Sequence, residues 1–392
     1  MSTPNTAGGK TVLIAAYVAG MVDMVALPVW IGSLMQSYGY SAPQAGITVT
    51  LFLLGVVLSS LFFAPRFNRM RRRVAATAGF ALAAAMFYGA STIGMSAANF
   101  QTLAVLHAIA GLGVGCGLSF TDGAIGRSAN PHRLWAIANV ALGVFAVLFL
   151  GGMPKLIAAS GASTIFVVYG LLMTVAALAV GLGFPDVSTQ REATSASGDR
   201  EPIPPAAWFV IGAVICLTLN QAMVFSFVER IGAARGFSPD RVNAVLIALG
   251  LVNLIPGALA AILQNKWSAV VVGIMGPIGQ AALAVTMTNS VDYAPYALAA
   301  SVYVFMVIFT HTFLFGLLAR LDTSGRAVAA TPAMMMVGSC IGPALGGVIV
   351  QAVGYPGLGW AACGVAVLAV SLMWQVRRRT RAPIVLAETN PA

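Results

Sequence analysis

The chain alternates long apolar runs with short segments that hold proline, glycine or charged residues. A helix needs about 20 apolar residues to cross the hydrocarbon core of a bilayer. Backbone groups in lipid must be satisfied internally, and these runs are too long and too uniformly apolar for barrel strands. We therefore predict an all-α integral membrane fold with twelve spans, at residues 11–36, 44–64, 74–96, 99–121, 134–153, 163–184, 206–228, 242–263, 268–289, 294–318, 328–352 and 357–376.

An internal repeat divides these spans into two sets of six. Gly39-Tyr40-Ser41 precedes span 2, and Gly236-Phe237-Ser238 precedes span 8. Parallel copies of one helical unit around a central path are a common plan of secondary transporters. We predict a six-helix bundle at residues 1–184, a polar cytoplasmic linker at 185–205, and a second bundle with a basic tail at 206–392. Three glycines of span 5 also recur in span 11, namely Gly143 with Gly338, Gly151 with Gly346, and Gly152 with Gly347.

Charge supports a membrane location and predicts an orientation. Charged residues are 8% of the chain, against about 25% in soluble domains, so most of the surface must face lipid. With the N-terminus inside, the only cations in outer loops are Lys155, Arg230, Arg235 and Arg241. Cations collect in cytoplasmic loops, so we predict a bacterial inner membrane protein with both termini cytoplasmic. The net charge of +10 lacks the interleaved polar and aromatic residues of a nucleic-acid surface, so no nucleic-acid partner is expected.

The twelve helices, the repeat, the polar middle loop and a basic loop between spans 2 and 3 together resemble the major facilitator superfamily. In that superfamily loop 2–3 carries Gly-x-Leu-x-Asp-Arg-x-Gly-Arg-Arg, whose acid and basic partners latch the cytoplasmic gate. Arg66 and Arg69 are kept here, but Pro65 and Asn68 replace the acid and the glycine. The resemblance implies that another acid completes the latch, unless the arginines only fix the topology. The candidate groups in the neighbouring inner loops are Asp122, Asp322 and Arg326.

Span 1 contains the first candidate for proton chemistry. The segment Asp23-Met24-Val25-Ala26-Leu27-Pro28 resembles the span 1 signature of proton-driven drug antiporters. Asp23 falls near the middle of the span, where an ionised carboxylate costs several kcal/mol unless it is paired, hydrated or protonated. We predict that Asp23 takes up and releases a proton. Trp30 shares its helix face and could form a stacking wall for the solute.

Span 4 offers a second proton site, and span 5 leaves the direction of transport open. Many superfamily members carry Arg-x-x-x-Gly in span 4, where this chain has His107 and Gly111. Histidine titrates near physiological pH, although a buried histidine can also be a neutral core residue. Superfamily antiporters carry Gly-Pro in span 5, where this chain has Val147-Leu148, and the intact motif lies in span 11. The motif in span 11 can be a packing device, and its loss from span 5 leaves both import and export open.

The preferred hypothesis is a proton-coupled secondary transporter of a small organic solute. Alternatives within this class are a multidrug or metabolite efflux antiporter and an uptake symporter for an organic acid; a lipid transporter is a remote alternative. We expect no enzyme activity and no cofactor, because the proton gradient supplies the energy, and we expect a monomer. Further candidates at membrane depth are His311 for the proton and Asn139, Asn220, Gln221 and Phe225 for the solute.

Overall fold

The computed structural model describes residues 3–186, 203–264, 266–322, 327 and 331–381, and within these ranges it is helical without a strand. Twelve segments are long and apolar enough to cross a membrane, which confirms the predicted spans. In chain order their helices are Ala7–Gly20 with Val22–Gln36, Ala42–Phe63, Arg72–Thr92, Phe100–Gly126, Pro131–Ser160, Thr164–Gly183, Pro205–Phe225 with Val228–Ala234, Pro239–Val252 with Pro256–Leu263, Ala269–Asn289, Tyr293–Leu321, Thr331–Val353 and Pro356–Arg381.

Spans 1, 7 and 8 are each broken into two helices, whereas the sequence predicted single runs. The break in span 8 precedes Pro256, which has no backbone N–H to continue the helical bonding. In span 7 the hydroxyl of Ser226 bonds back to the carbonyl of Ala222 at 2.6 Å, a contact that bends helices. Span 1 breaks at Met21, immediately after Gly20, which ends its first helix. Most of the predicted linker, residues 187–202, lies outside the described residues.

Spans 1 to 6 and spans 7 to 12 pack with the same internal neighbours. Span 3 packs against spans 4 and 6, and span 9 packs in the same way against spans 10 and 12. Span 2 contacts span 4 as span 8 contacts span 10, and span 1 contacts span 6 as span 7 contacts span 12. The two sets meet along spans 2 and 11, 5 and 8, and 1 and 7. This packing is that of two pseudo-symmetric six-helix bundles, and the predicted fold class is confirmed.

The repeat extends to the geometry of single turns. Gly39 and Gly236 both adopt positive φ angles, of 69° and 78°, immediately before spans 2 and 8. This left-handed conformation is one that glycine adopts without steric strain. Ser41 and Ser238 then cap the two helices, each accepting a hydrogen bond from a backbone N–H three residues on. The same local chemistry therefore begins the equivalent span in each bundle.

The two bundles approach each other closely on one side of the molecule. We call the side with both chain ends the termini face and the other side the opposite face. Near the opposite face, a Cβ atom at Gly46 would collide with the backbone of Pro343, and one at Gly347 would collide with the backbone of Ala42. Between spans 8 and 5, the side-chain amide of Asn243 donates to the carbonyl of Gly151 at 3.4 Å. The structure is therefore closed at the opposite face.

Candidate functional site

Asp23 lies in the first turn of the second helix of span 1, immediately after the break at Met21. Its side chain is buried. In the described part of the chain, no hydrogen bond or ion pair joins its carboxylate to another side chain. The positive end of a helix dipole interacts favourably with a negative charge. The break therefore gives a buried carboxylate one favourable electrostatic neighbour without pairing it to a cation.

Tyr17 and Asn139 connect Asp23 to a more accessible surface. Tyr17 lies one turn before the break, and its ring is close enough to Asp23 to interact with it electrostatically. Its hydroxyl donates to Asn139 Oδ1 at 3.3 Å, and the Asn139 side chain in span 5 is exposed. The structure thus brings together Asp23 and Asn139 of the predicted site through Tyr17, which the sequence analysis missed.

Trp30 and His107 lie inside the first bundle. The Trp30 side chain is fully buried, and its ring contacts those of Phe52, His107 and Tyr169, with centroid distances of 5.2, 5.3 and 5.0 Å. Tyr169 also lies within electrostatic range of Asp23. Asp23, Trp30 and His107 therefore belong to one cluster around Tyr169. In this conformation Trp30 has no exposed surface for a solute, so a stacking role requires the cluster to open.

The polar atoms of this cluster are mostly unpaired. Within the described residues, Trp30 Nε1, His107 Nε2 and the Tyr169 hydroxyl are buried without hydrogen-bond partners. His107 Nδ1 lies 2.6 Å from the carbonyl of Leu103 in its own helix. A buried polar group without a partner is costly, so these atoms are suited to bind water, and the His107 Nε2 atom can also accept a proton. The arrangement fits the predicted proton role of His107 without testing it.

A second buried polar group lies in the other bundle and includes Asn220. The Asn220 side chain donates to the carbonyl of Ala362 in span 12 at 3.0 Å, and the Tyr303 hydroxyl donates to the Asn220 carbonyl at 2.8 Å. Gln280 of span 9 donates to the carbonyl of Leu217 at 3.0 Å. These bonds hold spans 7, 9, 10 and 12 together, so Asn220 acts in bundle packing in this conformation. The sequence analysis missed Gln280, although a glutamine within an apolar span was a visible signal.

The remaining candidates in the second bundle have different surroundings. His311 is buried, stacks on Phe315 at 5.6 Å, and has a buried Nε2 atom without a partner among the described residues. Phe225 is 2% exposed and packs in the core that includes residues of both bundles. Gln221 makes no side-chain hydrogen bond to any described residue. Of the predicted solute ligands in this bundle, Gln221 therefore has the side chain most available for a new contact.

The predicted cytoplasmic latch is not assembled at Asp122 in this conformation. Asp122 does not lie in an inner loop; it is inside the span 4 helix, near enough to Tyr17 to interact with it electrostatically. Arg66 donates to the carbonyl of Phe62 at 2.6 Å, and Arg69 is exposed. Among the described residues no bond joins either arginine to Asp122. The Asp322 carboxylate accepts from the Ala327 N–H at 2.7 Å, and Arg326 lies outside the described residues.

Asn68 and Phe67 instead join loop 2–3 to the end of span 4. Asn68 Oδ1 accepts hydrogen bonds from Arg72 at 3.1 Å and from Arg127 at 3.4 Å. The guanidinium groups of the same two arginines lie over the Phe67 ring, 4.6 and 4.1 Å from its centroid. Cation–π contacts of this kind add to the hydrogen bonds. The asparagine that replaces the glycine of the superfamily motif thus anchors the loop within the first bundle.

The glycine motif of span 11 packs against both bundles. Cβ atoms at Gly338 and Gly342 would collide with span 7, so these glycines allow close packing within the second bundle. On the other side, the Thr50 hydroxyl of span 2 donates to the carbonyl of Cys340 at 2.8 Å and accepts from the N–H of Ala344 at 3.1 Å. In an undisturbed helix these two backbone groups would bond to each other. Thr50 therefore links span 2 to span 11 beside Pro343.

Comparisons with known proteins agree with this architecture. A D-xylose–proton symporter crystal structure has a TM-score of 0.71 at 16% identity, covering 94% of this chain and 96% of that chain. A bacterial homologue of the human lysosomal transporter Spinster, in an inward-facing and occupied conformation, has a TM-score of 0.72 at 14% identity, covering 96% and 98%. At these identities the likeness shows the fold alone.

The family assignment comes from the sequence. A comparison with curated proteins gives no significant match. The profile of the Major Facilitator Superfamily, however, matches residues 12–324, which is most of the chain. The match agrees with the twelve spans, with the two bundles and with the resemblance seen in loop 2–3. The chain belongs to the Major Facilitator Superfamily and is a multi-pass membrane transporter.

Proposed function

We propose that this transporter couples the movement of a small organic solute to that of protons and works by alternating access. The observation that carries the proposal is Asp23, a buried carboxylate that is not paired with a cation in the described structure and stands at a break in span 1. An ionised carboxylate is costly at membrane depth, whereas its protonated form is not. Asp23 is thus suited to bind a proton in one conformation and to lose it in another. The D-xylose–proton symporter among the structural neighbours supports coupling to protons.

The path of the proton follows the contacts of the first bundle. Water that reaches Asn139 exchanges protons with Asp23 along the Tyr17 hydroxyl, which bonds to Asn139 at 3.3 Å. His107 lies on the far side of the Tyr169 cluster and is the second proton acceptor. Binding of the proton and the solute changes the relative free energies of the two conformations. The bundles then rock about the contacts of spans 1, 2, 5, 7, 8 and 11.

The solute is proposed to be non-acidic or zwitterionic. Gln221 supplies a side-chain amide from the second bundle, and Asn139 supplies one from the first. A solute carboxylate would favour an arginine at the site, and the sequence places no arginine deep within a span. We place the protein in a bacterial inner membrane as a monomer with both termini cytoplasmic. In that orientation, the closed opposite face is the outer side of the membrane.

Efflux by proton antiport is the second candidate. It is favoured by the segment Asp23-Met24-Val25-Ala26-Leu27-Pro28, which resembles the span 1 signature of proton-driven drug antiporters. Reconstituted vesicles with an imposed proton gradient of either sign separate the two directions. When the outside is acidic and the inside alkaline, protons are driven inward, and accumulation of the solute inside indicates symport. Movement of the solute against the proton indicates antiport.

Replacement of Asp23 tests the proposal. A panel of radiolabelled sugars, amino acids and organic cations identifies a transported solute in wild-type vesicles. Asp23→Asn is then expected to abolish gradient-driven accumulation while solute exchange without a gradient continues, because the amide cannot carry a proton. Asp240→Asn, at an exposed carboxylate of span 8, is the matched control and should transport like the wild type. Full gradient-driven accumulation by Asp23→Asn would remove Asp23 from the mechanism.

A further inference from the structure

Glu229 lies in the second helix of span 7, near the opposite face, and contacts the other bundle. A Cβ atom added to Gly32 of span 1 would collide with Glu229 Oε2, so this oxygen lies directly over the Gly32 backbone. Span 1 belongs to the first bundle and span 7 to the second. The contact therefore exists only while the two bundles are together at this face.

The half-buried carboxyl group of Glu229 holds one oxygen atom in a place without a hydrogen-bond partner among the described residues. Its Oε2 atom is buried, and within the described structure it accepts no hydrogen bond. Gly32 offers no side chain, and the hydroxyl of the next residue, Ser33, is donated to the carbonyl of Val29 at 2.7 Å. An ionised carboxylate in such a place loses its hydration without replacement, whereas a protonated one loses much less.

The charged and titratable groups nearby do not change this conclusion. Arg230 follows Glu229 in the chain and lies within electrostatic range of its carboxylate, but the loss of hydration on burial is the larger effect. No ion pair joins the two among the described residues, and the Arg230 Nε atom is buried without a partner. On span 10 the Tyr296 hydroxyl donates to the carbonyl of Val228 at 2.9 Å. At the start of span 8, Arg241 lies over the Tyr293 ring, 5.1 Å from its centroid, beside the exposed Asp240. Among the described residues, no hydrogen bond or ion pair joins Glu229 to a titratable side chain of span 1.

We propose that Glu229 is a further proton-binding residue of the transport cycle, which must be protonated before spans 1 and 7 can close the opposite face. When this face opens, the carboxyl group meets water and ionises. Protons taken up at this face then favour closure, and loss of the proton favours opening. The inference deepens the proposed function, on which its place in the cycle rests. It assigns a proton step to the second bundle that is separate from Asp23.

The relation between closure and pH has a definite sign. Closure binds one proton at Glu229, so the ratio of closed to open molecules falls as the pH rises, by at most about tenfold per pH unit. Burial raises the pKa of Tyr38 and of Tyr40, in the loop between spans 1 and 2, to about 12. These two tyrosines therefore stay neutral over the same range and cannot produce the response. Asp240 is exposed and makes no contact across this face among the described residues.

A distance measurement without any solute tests the proposal. Spin labels are attached at Ala98→Cys and Val291→Cys, exposed positions in loops of the two bundles at the opposite face. The partly exposed native cysteine is removed by Cys363→Ser. Distance distributions are recorded in lipid nanodiscs from about pH 5 to about pH 9. This range lies above the ordinary carboxyl pKa of about 4, so an ordinary exposed carboxyl group stays ionised throughout it. The wild type should lose its short-distance population as the pH rises.

Two variants separate Glu229 from other groups. Glu229→Gln should keep the short distance across the whole range, because its side chain stays neutral. Asp240→Asn should follow the wild type. If the glutamine variant does not give monodisperse protein, Glu229→Asp keeps an ionisable group with a shorter reach and should shift the response without removing it. A flat wild-type profile, or an unchanged response in Glu229→Gln, would overturn the proposal, and neither result depends on whether Asp23 couples solute transport to protons.

Discussion

Asp23 combines burial, a helix break and an electrostatic neighbour, Tyr17, that is hydrogen-bonded to an exposed side chain. The Tyr17 hydroxyl donates to Asn139 at 3.3 Å. A tyrosine hydroxyl both donates and accepts hydrogen bonds, so it can pass a proton that a phenyl ring cannot. At the scale of single residues, the rate of proton transfer should therefore depend on the oxygen of Tyr17.

Tyr17→Phe tests this dependence with little change in packing. The ring contact with Trp135, at 5.1 Å, does not need the hydroxyl. We expect gradient-driven transport to fall by about fivefold, the effect of about 1 kcal/mol for one hydrogen bond. Solute exchange without a gradient should change much less. Tyr88→Phe, which removes a hydroxyl that bonds to Thr174 at the exposed rim of the bundle, is the control. Equal loss of both activities in Tyr17→Phe would assign Tyr17 to packing.

Thr50 and the span 11 motif show how one helix serves two partners. The glycines Gly338 and Gly342 face span 7, and Pro343 lies where Thr50 of span 2 bridges two backbone groups of span 11. The first contact is within a bundle and persists through the cycle, whereas the second crosses between bundles and must break when the opposite face opens. Substitutions on the two sides of span 11 should therefore have different effects.

Thr50→Val should weaken closure without unfolding the protein. Valine keeps the shape of the side chain and removes the hydroxyl that bonds to Cys340 and Ala344. We expect the ratio of closed to open molecules to fall by about fivefold, corresponding to about 1 kcal/mol for a net hydrogen bond. The spin-label pair at positions 98 and 291 measures this ratio of closed to open molecules. Thr286→Val removes a hydroxyl that bonds only to Ala282 of its own helix and should leave the ratio unchanged; an equal effect in both variants would refute the specific role of Thr50.

Gly338→Ala should instead lower the stability of the second bundle. Its new Cβ atom would collide with the Thr218 hydroxyl and with the backbone of span 7. Overpacking of this kind typically costs about 1–3 kcal/mol, so the thermal unfolding temperature in detergent should fall. Gly364→Ala, where no atom lies within 4 Å of the new Cβ, should leave it unchanged or slightly higher. An unaltered unfolding temperature in Gly338→Ala would show that span 11 and span 7 are not in close contact.

The spans themselves were predictable, but their breaks and neighbours were not. Apolar runs bounded by charge determine where helices cross, and this signal is local in the sequence. The break at Met21 follows a single glycine, Gly20, and glycines occur in many unbroken spans of this chain. Asp122 was assigned to a loop because the apolar run of span 4 ends at residue 121, whereas the helix continues to Gly126. The cluster of Trp30, His107 and Tyr169 joins spans 1, 4 and 6, and only the packing of the bundle reveals it.

At the scale of the whole molecule, two similar bundles meet along three pairs of spans and are closed at one face. Equivalent spans of the bundles make equivalent contacts, so a second conformation closed at the termini face requires little internal change. The proposed proton-binding groups lie on both sides of the interface, with Asp23 in the first bundle and Glu229 in the second. A rocking motion would expose each group to a different environment, which is the requirement for coupling.

Coupling between solute movement and proton movement is the central claim. It is tested most directly by recording the pH inside reconstituted vesicles while a transported solute is added outside. With no imposed gradient, the wild type should change the internal pH as the solute enters, and an acid change would indicate symport and an alkaline one antiport. Asp23→Asn should admit the solute with no pH change. Solute entry in the wild type without any change of internal pH would contradict proton coupling.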